Sequence, residues 1–365
     1  MPSAHTAFRH LLRTAGAVTL TLLLSAPASA QAVDASRSDA PAAVDREPRG
    51  LGSDALQTVT RTADSLPALR TLIVARDGRP LIELAKHGGL DDPVNVKSVS
   101  KTIIAALVGA ALDRGVLKRI DQPVASLLKN DLPAKADPRV NAVTVEHLLT
   151  MRAGLERTSG ANYGRWVSSA NWVRDALSRP FVDEPGGRML YSTGNSHLLS
   201  AILTEASERS TLELARDWLA EPLGITVPPW TRDPQGIYLG GNNMALSPRA
   251  LLRFGEMYRN GGVHGGKRVL PESWIRASWV PRTESPYNGH GYGYGWFITE
   301  MSDRPVYYGW GYGGQMLYVA PTLGLTVVIT SDPDGPSGRS GYVRELHALV
   351  RDGVIAAAVA QDEER

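Results

Sequence analysis

The chain has 365 residues, 43% of them hydrophobic, and 39 basic against 37 acidic side chains give a formal net charge of +2. It contains no cysteine, which excludes a cysteine nucleophile, a thiolate zinc site, an iron–sulfur cluster and a lipid-modified N-terminal cysteine. The balanced charge argues against nucleic acid or an anionic membrane as a partner, because both require a surplus of basic side chains.

Residues 1–30 have the pattern of a secretory signal peptide. Arg9 and Arg13 form a basic start, residues 15–24 are apolar, and Ala28 to Ala30 offer the small side chains of a cleavage site. Ten helical residues cover only ~15 Å of a hydrocarbon core ~30 Å thick, so the segment cannot anchor the protein stably. We therefore expect an exported protein, periplasmic or secreted, with no membrane anchor after cleavage. The alternative is a buried N-terminal helix.

Residues 31–53 are rich in Ala, Asp, Arg, Pro and Ser and lack aromatic side chains. Such a segment buries too little apolar area to offset the entropy of ordering it, so we predict a flexible leader. Apolar periodicity then predicts a helix around residues 56–66. Two strands, 69–76 and 81–87, follow as a hairpin joined by the turn residues Asp77-Gly78-Arg79-Pro80.

The middle of the chain reads as helical and its end as strands. Residues 102–112 are apolar on all sides, which is typical of a central buried helix. Shorter helices are predicted at 144–151, 171–178, 196–207, 211–220 and 248–260. Strands are predicted at 294–301, 306–310, 315–320 and 325–331, and a last helix at 343–359.

This order predicts an α+β fold in which both chain ends build one antiparallel sheet, flanked by helices, with a mainly helical subdomain inserted. We assign the sheet subdomain to residues 54–109 and 289–360, and the helical subdomain to residues 110–288.

Several familiar motifs fail on inspection. Residues 261–267 match the glycines and lysine of a phosphate-binding loop, but Arg268 replaces the hydroxyl residue that would hold magnesium. Gly309-x-Gly311-x-x-Gly314 resembles a dinucleotide fingerprint, yet a strand follows it instead of a helix. The chain has neither a His-x-x-x-His pair nor a Gly-x-Ser-x-Gly elbow. We therefore expect no metal and no organic cofactor.

Ser98 and Lys101 are the candidate catalytic pair. Three residues apart in a helix, they share one face, so the amine can reach the hydroxyl. The apolar helix and the positive end of its dipole both disfavour a protonated lysine, which lowers the lysine pKa. An unprotonated amine can activate a serine nucleophile. The alternative is a helix cap beside a lysine that extends to solvent.

The Ser-x-x-Lys pattern alone is weak. Ser126 and Lys129 repeat it in a short stretch between two prolines that reads as surface, so we expect Ser126 to be inert.

Four segments in order resemble the β-lactamase-related serine hydrolases, a family that includes class C β-lactamases, D-alanyl-D-alanine peptidases, esterases and 6-aminohexanoate-dimer hydrolases. The resemblance spans residues 69–331 and implies the β-lactamase/transpeptidase-like fold. The segments are Ser98-Val99-Ser100-Lys101-Thr102, the run LLTMRAGL at 148–155, Tyr191-Ser192-Thr193, and Gly311-Tyr312-Gly313-Gly314-Gln315.

The resemblance implies roles for the matching residues. Ser98 would be the acylated nucleophile, and Lys101 would take its proton. Tyr191 would carry the proton to the leaving group, with a phenol pKa lowered by the nearby amine. The backbone N–H groups of Ser98 and Gln315 would form the oxyanion hole. The alternative for Tyr191 is an ordinary core aromatic residue.

Two substrate-binding positions depart from the family. Thr193 stands where an asparagine is usual, and Tyr312 stands where a lysine or histidine is usual. Gly313 and Gly314 would leave room for a substrate along the backbone, or they could form a bulge. Without that cation, binding of a substrate carboxylate would need an arginine from elsewhere, such as Arg152 or Arg188.

The resulting hypothesis is an exported serine hydrolase that cleaves an ester or amide bond through an acyl-enzyme, with a small-molecule or peptide-like substrate. One alternative is a β-lactamase or D-alanyl-D-alanine peptidase acting on cell-wall peptides. An alternative of another class is a non-catalytic protein that binds peptidoglycan or another ligand with the same fold.

Overall fold

The computed structural model describes residues 49–335 and 340–364. The expected signal peptide and residues 31–48 of the expected leader lie outside the described residues. The first helix begins at Ser53, the last residue assigned to the leader.

The two chain ends form one antiparallel sheet, as predicted. Strand order is β2-β1-β12-β11-β10-β9-β8-β7, and β1 pairs with β12 through contacts such as Leu72 with Ile329. Two short strand pairs, β3–β4 and β5–β6, lie apart from it. The strands are β1 Leu69–Arg76, β2 Arg79–Ala85, β3 Val94–Asn95, β4 Ala245–Leu246, β5 Val263–His264, β6 Lys267–Arg268, β7 Thr283–Glu284, β8 Gly291–Tyr292, β9 Phe297–Met301, β10 Arg304–Gly311, β11 Gln315–Ala320 and β12 Leu325–Ser331.

The first hairpin is tighter than predicted. Asp77 and Gly78 both take positive φ angles, 50° and 80°, which allows a two-residue turn, so β2 begins at Arg79. The strand predicted from residue 294 begins instead at Phe297, because Gly295 has a φ of 75° and interrupts the extended backbone before it.

Every predicted helix has a helix at its position, whereas the short helices α3, α5, α9 and α11 were not predicted. Residues 100–111 of α2 are all buried, which confirms the central buried helix. The helices are α1 Ser53–Ser65, α2 Ser100–Asp113, α3 Val124–Leu127, α4 Val145–Leu149, α5 Tyr163–Val167, α6 Trp172–Leu177, α7 Thr193–Ser207, α8 Thr211–Ala215, α9 Glu221–Leu223, α10 Pro248–Arg259, α11 Glu272–Ser278, α12 Tyr342–Ala348 and α13 Ala356–Glu363; π-helical turns cover Arg216–Ala220 and Leu349–Ile355.

Each face of the sheet has its own core. Ile73 packs with helices α2, α7 and α10 on one face, whereas its neighbours Leu72 and Val74 pack with α1 and the C-terminal helices on the other. This alternation follows from the two-residue period of a strand. No helix within residues 49–335 and 340–364 combines the length and apolar character needed to cross a membrane.

Candidate active site

Ser98 lies in a single 3₁₀ turn, Lys97–Val99, directly before α2. Lys97 takes a left-handed conformation with a φ of 49°, and its backbone N–H donates to Asn95 Oδ1 at 2.9 Å. A lysine in this region is strained, and it persists only where its surroundings fix it. The turn also contacts β10, so Ser98 lies beside the end of that strand.

Lys101 is buried one turn further along, with 3% of its surface exposed. Its Nζ atom lies 2.9 Å from Ser98 Oγ, 3.3 Å from Thr193 Oγ1 and 2.6 Å from the carbonyl oxygen of Gly241. Burial lowers the pKa of the amine from 10.5 to about 7. The lowered pKa expected from the sequence is thus present, and desolvation is its cause.

The three contacts match the needs of a neutral amine. Such an amine has two N–H donors and one lone pair. The carbonyl of Gly241 can only accept, and Thr193 Oγ1 can accept as well. When both N–H groups are used there, the lone pair is left for the Ser98 O–H. The arrangement can therefore draw a proton from Ser98.

Tyr191 lies two residues before the start of α7, and its ring centre is 4.9 Å from Lys101 Nζ. Desolvation raises the pKa of the phenol well above 10, and the neighbouring Ser98 side chain offsets only part of that rise. The rings of Tyr292 and Phe297 lie 6.3 and 6.1 Å away. The expectation that the amine lowers this pKa was wrong, because an amine that is neutral near pH 7 supplies no lasting positive charge.

Thr193 begins α7 and belongs to the same hydrogen-bond network. Its backbone N–H donates to Ser159 Oγ at 2.8 Å, and the two side-chain oxygens lie 3.0 Å apart. Thr193, which stands where the family usually has an asparagine, therefore contacts Lys101 and also lines the pocket. Ser159 and Gly241 were not predicted, because neither belongs to a recognisable motif.

A cavity of about 600 Å³ opens over Ser98, Tyr191 and Thr193, and half of its lining residues are aromatic. Asn242, which follows Gly241, contributes an amide that donates to the Tyr163 hydroxyl at 3.0 Å. The other lining residues are Arg157, Ser159, Gly160, Tyr163, Tyr287, Phe297, Trp310 and Tyr312.

The glycine-rich segment after β10 forms a hairpin turn, whereas a segment along the substrate site was expected. Gly311 pairs with Gln315, so residues 312–314 form the hairpin turn, in which Gly313 and Gly314 have φ angles of 82° and 93°. Tyr312 lines the pocket, but Gly313, Gly314 and Gln315 are not among its lining residues.

Neighbouring contacts explain that placement. A Cβ on Gly314 would lie 2.6 Å from the Tyr342 ring, and one on Gly313 would lie 2.3 Å from the Asp332 carbonyl oxygen. The Gln315 side chain bonds the backbone N–H and carbonyl of Ser331. Gly313 and Gly314 are therefore not part of the pocket wall. The oxyanion role of the Gln315 backbone N–H stays a prediction, because these side-chain contacts do not involve that N–H.

A pocket arginine is present, but it is neither of the two considered. Arg152 donates to the Gly186 carbonyl at 3.0 Å, and Arg188 lies 3.7 Å from Asp183. Arg157 lines the cavity instead, and its Nη1 donates to the Tyr287 hydroxyl at 2.5 Å. No Asp or Glu of the described residues lines the cavity, so it carries positive charge.

The second Ser-x-x-Lys pair is a surface feature. Ser126 Oγ donates to the Pro123 carbonyl at 2.7 Å and is exposed. Across residues 49–335 and 340–364, no three His, Cys, Asp or Glu side chains lie together in a way that could hold a metal ion.

An antiparallel sheet built from both chain ends, packed on a buried helix that starts beside a serine, defines the class of β-lactamase/transpeptidase-like proteins. The chain belongs to the Beta-lactamase family, whose model matches residues 70–351. Members of this family and fold include hydrolases of several kinds.

Three similar proteins illustrate that range. The 6-aminohexanoate-dimer hydrolase of Paenarthrobacter ureafaciens is 25% identical over 296 residues, covering 72% of each chain. EstCE1, a hydrolase with promiscuous acyltransferase activity, superimposes with a TM-score of 0.68 at 20% identity over 82% of this chain and 97% of its own. A D-stereospecific amidohydrolase from Streptomyces sp. gives 0.63 at 21% identity over 80% and 98%.

Proposed function

We propose that this protein is an exported serine hydrolase that cleaves an ester or amide bond through an acyl-enzyme. The observation that carries the proposal is the buried amine of Lys101, 2.9 Å from Ser98 Oγ, with a pKa of about 7. A base with a pKa near the working pH is effective, because much of it is unprotonated while it still binds a proton readily.

Acylation begins at Ser98. Its O–H proton passes to the lone pair of Lys101, and Oγ bonds to the substrate carbonyl carbon, which becomes a tetrahedral oxyanion. The backbone N–H groups of Ser98 and Gln315 would stabilise that charge.

Tyr191 completes proton transfer to the leaving group. Because its pKa is high, the phenol stays neutral and works as a relay: its proton goes to the leaving oxygen or nitrogen while it receives the proton held by Lys101. The carbon–heteroatom bond then breaks, and the acyl group remains on Ser98. Water, deprotonated by the same groups, attacks the acyl-enzyme and releases a carboxylic acid.

The aromatic wall of the pocket favours an acyl or leaving group with apolar character. The names of the similar proteins are consistent with ester and amide substrates: an aminohexanoate-dimer hydrolase and an amidohydrolase on one side, a hydrolase with acyltransferase activity on the other.

A second candidate, hydrolysis of β-lactams or D-alanyl peptides, is favoured by one observation. These substrates carry a carboxylate, and Arg157 places a guanidinium in the pocket wall where no acidic side chain of the described residues accompanies it.

The reaction is tested with the purified protein and the matched variants Ser98→Ala and Ser126→Ala. A neutral p-nitrophenyl ester, a chromogenic cephalosporin and a D-Ala-D-Ala peptide are the substrates, and mass spectrometry after an acylating probe locates the adduct. We expect ester hydrolysis and an adduct on Ser98, both lost in Ser98→Ala and kept in Ser126→Ala. Equal inactivity of wild type and Ser98→Ala, with ligand still bound by both, would favour a binding protein.

Export is tested separately. Expression of the full chain followed by N-terminal sequencing of the protein from the periplasm and the medium should find the mature chain cut after Ala30. Uncut protein confined to the cytoplasm would contradict export while leaving the hydrolase proposal intact.

A further inference from the structure

A fully buried histidine and aspartate lie behind the candidate catalytic lysine and take no part in the reaction just described. His197 is on α7, and the rings of Trp166 and Trp172 each lie 5.6 Å from its ring. Its Nε2 atom is 3.0 Å from Asp233 Oδ2, and neither side chain is exposed. On the opposite edge of the imidazole, the backbone N–H of Gly240 reaches Nδ1 at 3.3 Å.

These contacts fix the tautomer of His197. A backbone N–H can only donate, so Nδ1 must carry a lone pair and Nε2 must carry the proton. The Nε2–H then donates to Asp233. The other carboxylate oxygen, Oδ1, accepts the backbone N–H groups of Gln235 and Ile237 at 2.9 and 2.8 Å. The imidazole is therefore held from both edges.

The segment Gly240–Met244 runs from this histidine across Lys101. A Cβ on Gly240 would lie 2.0 Å from the Ser196 carbonyl oxygen, and one on Gly241 would lie 2.7 Å from Lys101 Cγ. The segment thus packs directly on the start of α7 and on the lysine side chain. At its far end, the Met244 N–H donates to Ser100 Oγ at 3.2 Å.

The carbonyl that accepts from Lys101 therefore lies between two tethers. His197 holds Gly240 on one side, Ser100 holds Met244 on the other, and the Gly241 carbonyl oxygen between them is 2.6 Å from Nζ. A carbonyl in this place occupies one amine N–H and so directs the lone pair towards Ser98.

We propose that His197, whose tautomer is fixed by Asp233, is a positioning residue that through Gly240 holds the Gly241 carbonyl against Lys101 and so orients the amine that activates Ser98. The proposal rests on the proposed function. Neither residue touches the substrate or Ser98, so the pair should affect the chemical step and not substrate binding. A misplacement of about 1 Å can cost about 100-fold in rate, so the effect of losing the tether should be measurable.

Two substitutions at position 197 test the two hydrogen bonds of the imidazole separately. The oxygen of an asparagine at position 197 reaches about as far as Nδ1 and can still accept from Gly240, whereas a glutamine amide reaches the Nε2 position and Asp233. We expect His197→Asn to keep kcat within about threefold of wild type on a neutral p-nitrophenyl ester, and His197→Gln to lower it about tenfold or more with KM unchanged. Thermal unfolding of both variants measures any general loss of stability.

Equal kcat values in the two variants, or changes in kcat that follow thermal stability alone, would overturn the proposal. If either variant fails to fold, the tautomer of wild type is measured instead: ¹⁵N NMR of the imidazole at the assay pH should show Nε2 protonated and Nδ1 unprotonated. A protonated Nδ1 cannot accept from Gly240 and would also overturn the proposal. If wild type lacks Ser98-dependent hydrolysis, the proposed function has failed instead, and the tautomer measurement reports on the tether independently.

Discussion

The amine nitrogen of Lys101 lies nearer to the carbonyl oxygen of Gly241, at 2.6 Å, than to the Ser98 hydroxyl at 2.9 Å. Gly241 is 140 residues away in the chain. The local helix brings the lysine to the serine, but a distant backbone carbonyl helps to set the direction of its lone pair. The proposed catalytic pair, separated by one helical turn, thus depends on the tertiary structure for its chemistry.

Gly241→Ala should strongly reduce hydrolysis. An added Cβ would lie 2.7 Å from Lys101 Cγ and 2.6 Å from Ser196 Cβ, and the φ of 81° already disfavours any side chain. Displacement of the lysine by this clash should lower kcat/KM on a p-nitrophenyl ester by about 100-fold. Gly266→Ala is the matched control, because Gly266 has a φ of 75° but open space around it. Similar losses in both variants would show that backbone strain alone is responsible.

Hydrolysis should depend on pH with a midpoint near the lysine pKa of about 7. Below it the ammonium has no lone pair, so kcat/KM should fall about tenfold per pH unit, and above it the profile should be flat. Tyr191 faces the amine, but its raised pKa keeps it neutral across this range. The measurement is the initial rate on a neutral ester with the Ser98→Ala rate subtracted. A profile that stays flat down to pH 5 would contradict a general base whose pKa burial has lowered to about 7.

The features that were predicted correctly are those with local signals. The three-residue spacing of Ser98 and Lys101 fixes their common helix face, and the apolar residues after them show that the helix is buried. Strands β11 and β12 were placed at their observed bounds because continuous apolar runs ended at clear turn residues.

The features that were missed or misplaced depend on contacts between distant segments. Gly241 and Ser159 lie in loops that carry no periodic pattern, so only the folded chain shows that they meet Lys101 and Thr193. The segment at 312–315 was ambiguous, because glycines fit both a cleft-lining strand and a hairpin turn. The pKa of Tyr191 is raised because desolvation outweighs the effect of nearby charge. That desolvation depends on the rings of Tyr292 and Phe297, which β8 and β9 supply.

Replacement of the buried lysine should stabilise the protein in a pH-dependent way. The folded-state pKa of about 7 lies below the usual 10.5, so between these values the unfolded chain binds more protons and the free energy of unfolding of wild type rises with pH. Lys101→Met removes the cost of burying the charge, which is greatest below pH 7. Its stability gain over wild type should be about 3 kcal/mol larger at pH 6 than at pH 9.

Urea unfolding at the two pH values measures that difference. Lys267→Met is the control, because Lys267 is exposed on β6 and its replacement should alter stability equally at both pH values. A gain from Lys101→Met that does not change with pH would show that the amine is not desolvated in the folded protein.

Arg157 should determine the preference for acidic substrates. Its guanidinium lines the pocket and donates to the Tyr287 hydroxyl, and a substrate carboxylate could accept from its other N–H groups. A charged hydrogen bond contributes about 1.5–3 kcal/mol, and exposure of this side chain places the effect at the lower end, so Arg157→Gln should lower kcat/KM on mono-p-nitrophenyl glutarate about tenfold. Arg157→Gln should hydrolyse the neutral substrate p-nitrophenyl butyrate at nearly the wild-type rate. Arg165→Gln, at an exposed arginine paired with Glu156, should change neither rate. Equal losses on both esters would mean that Arg157 only supports the position of Tyr287, and the case for carboxylate-bearing substrates would fail.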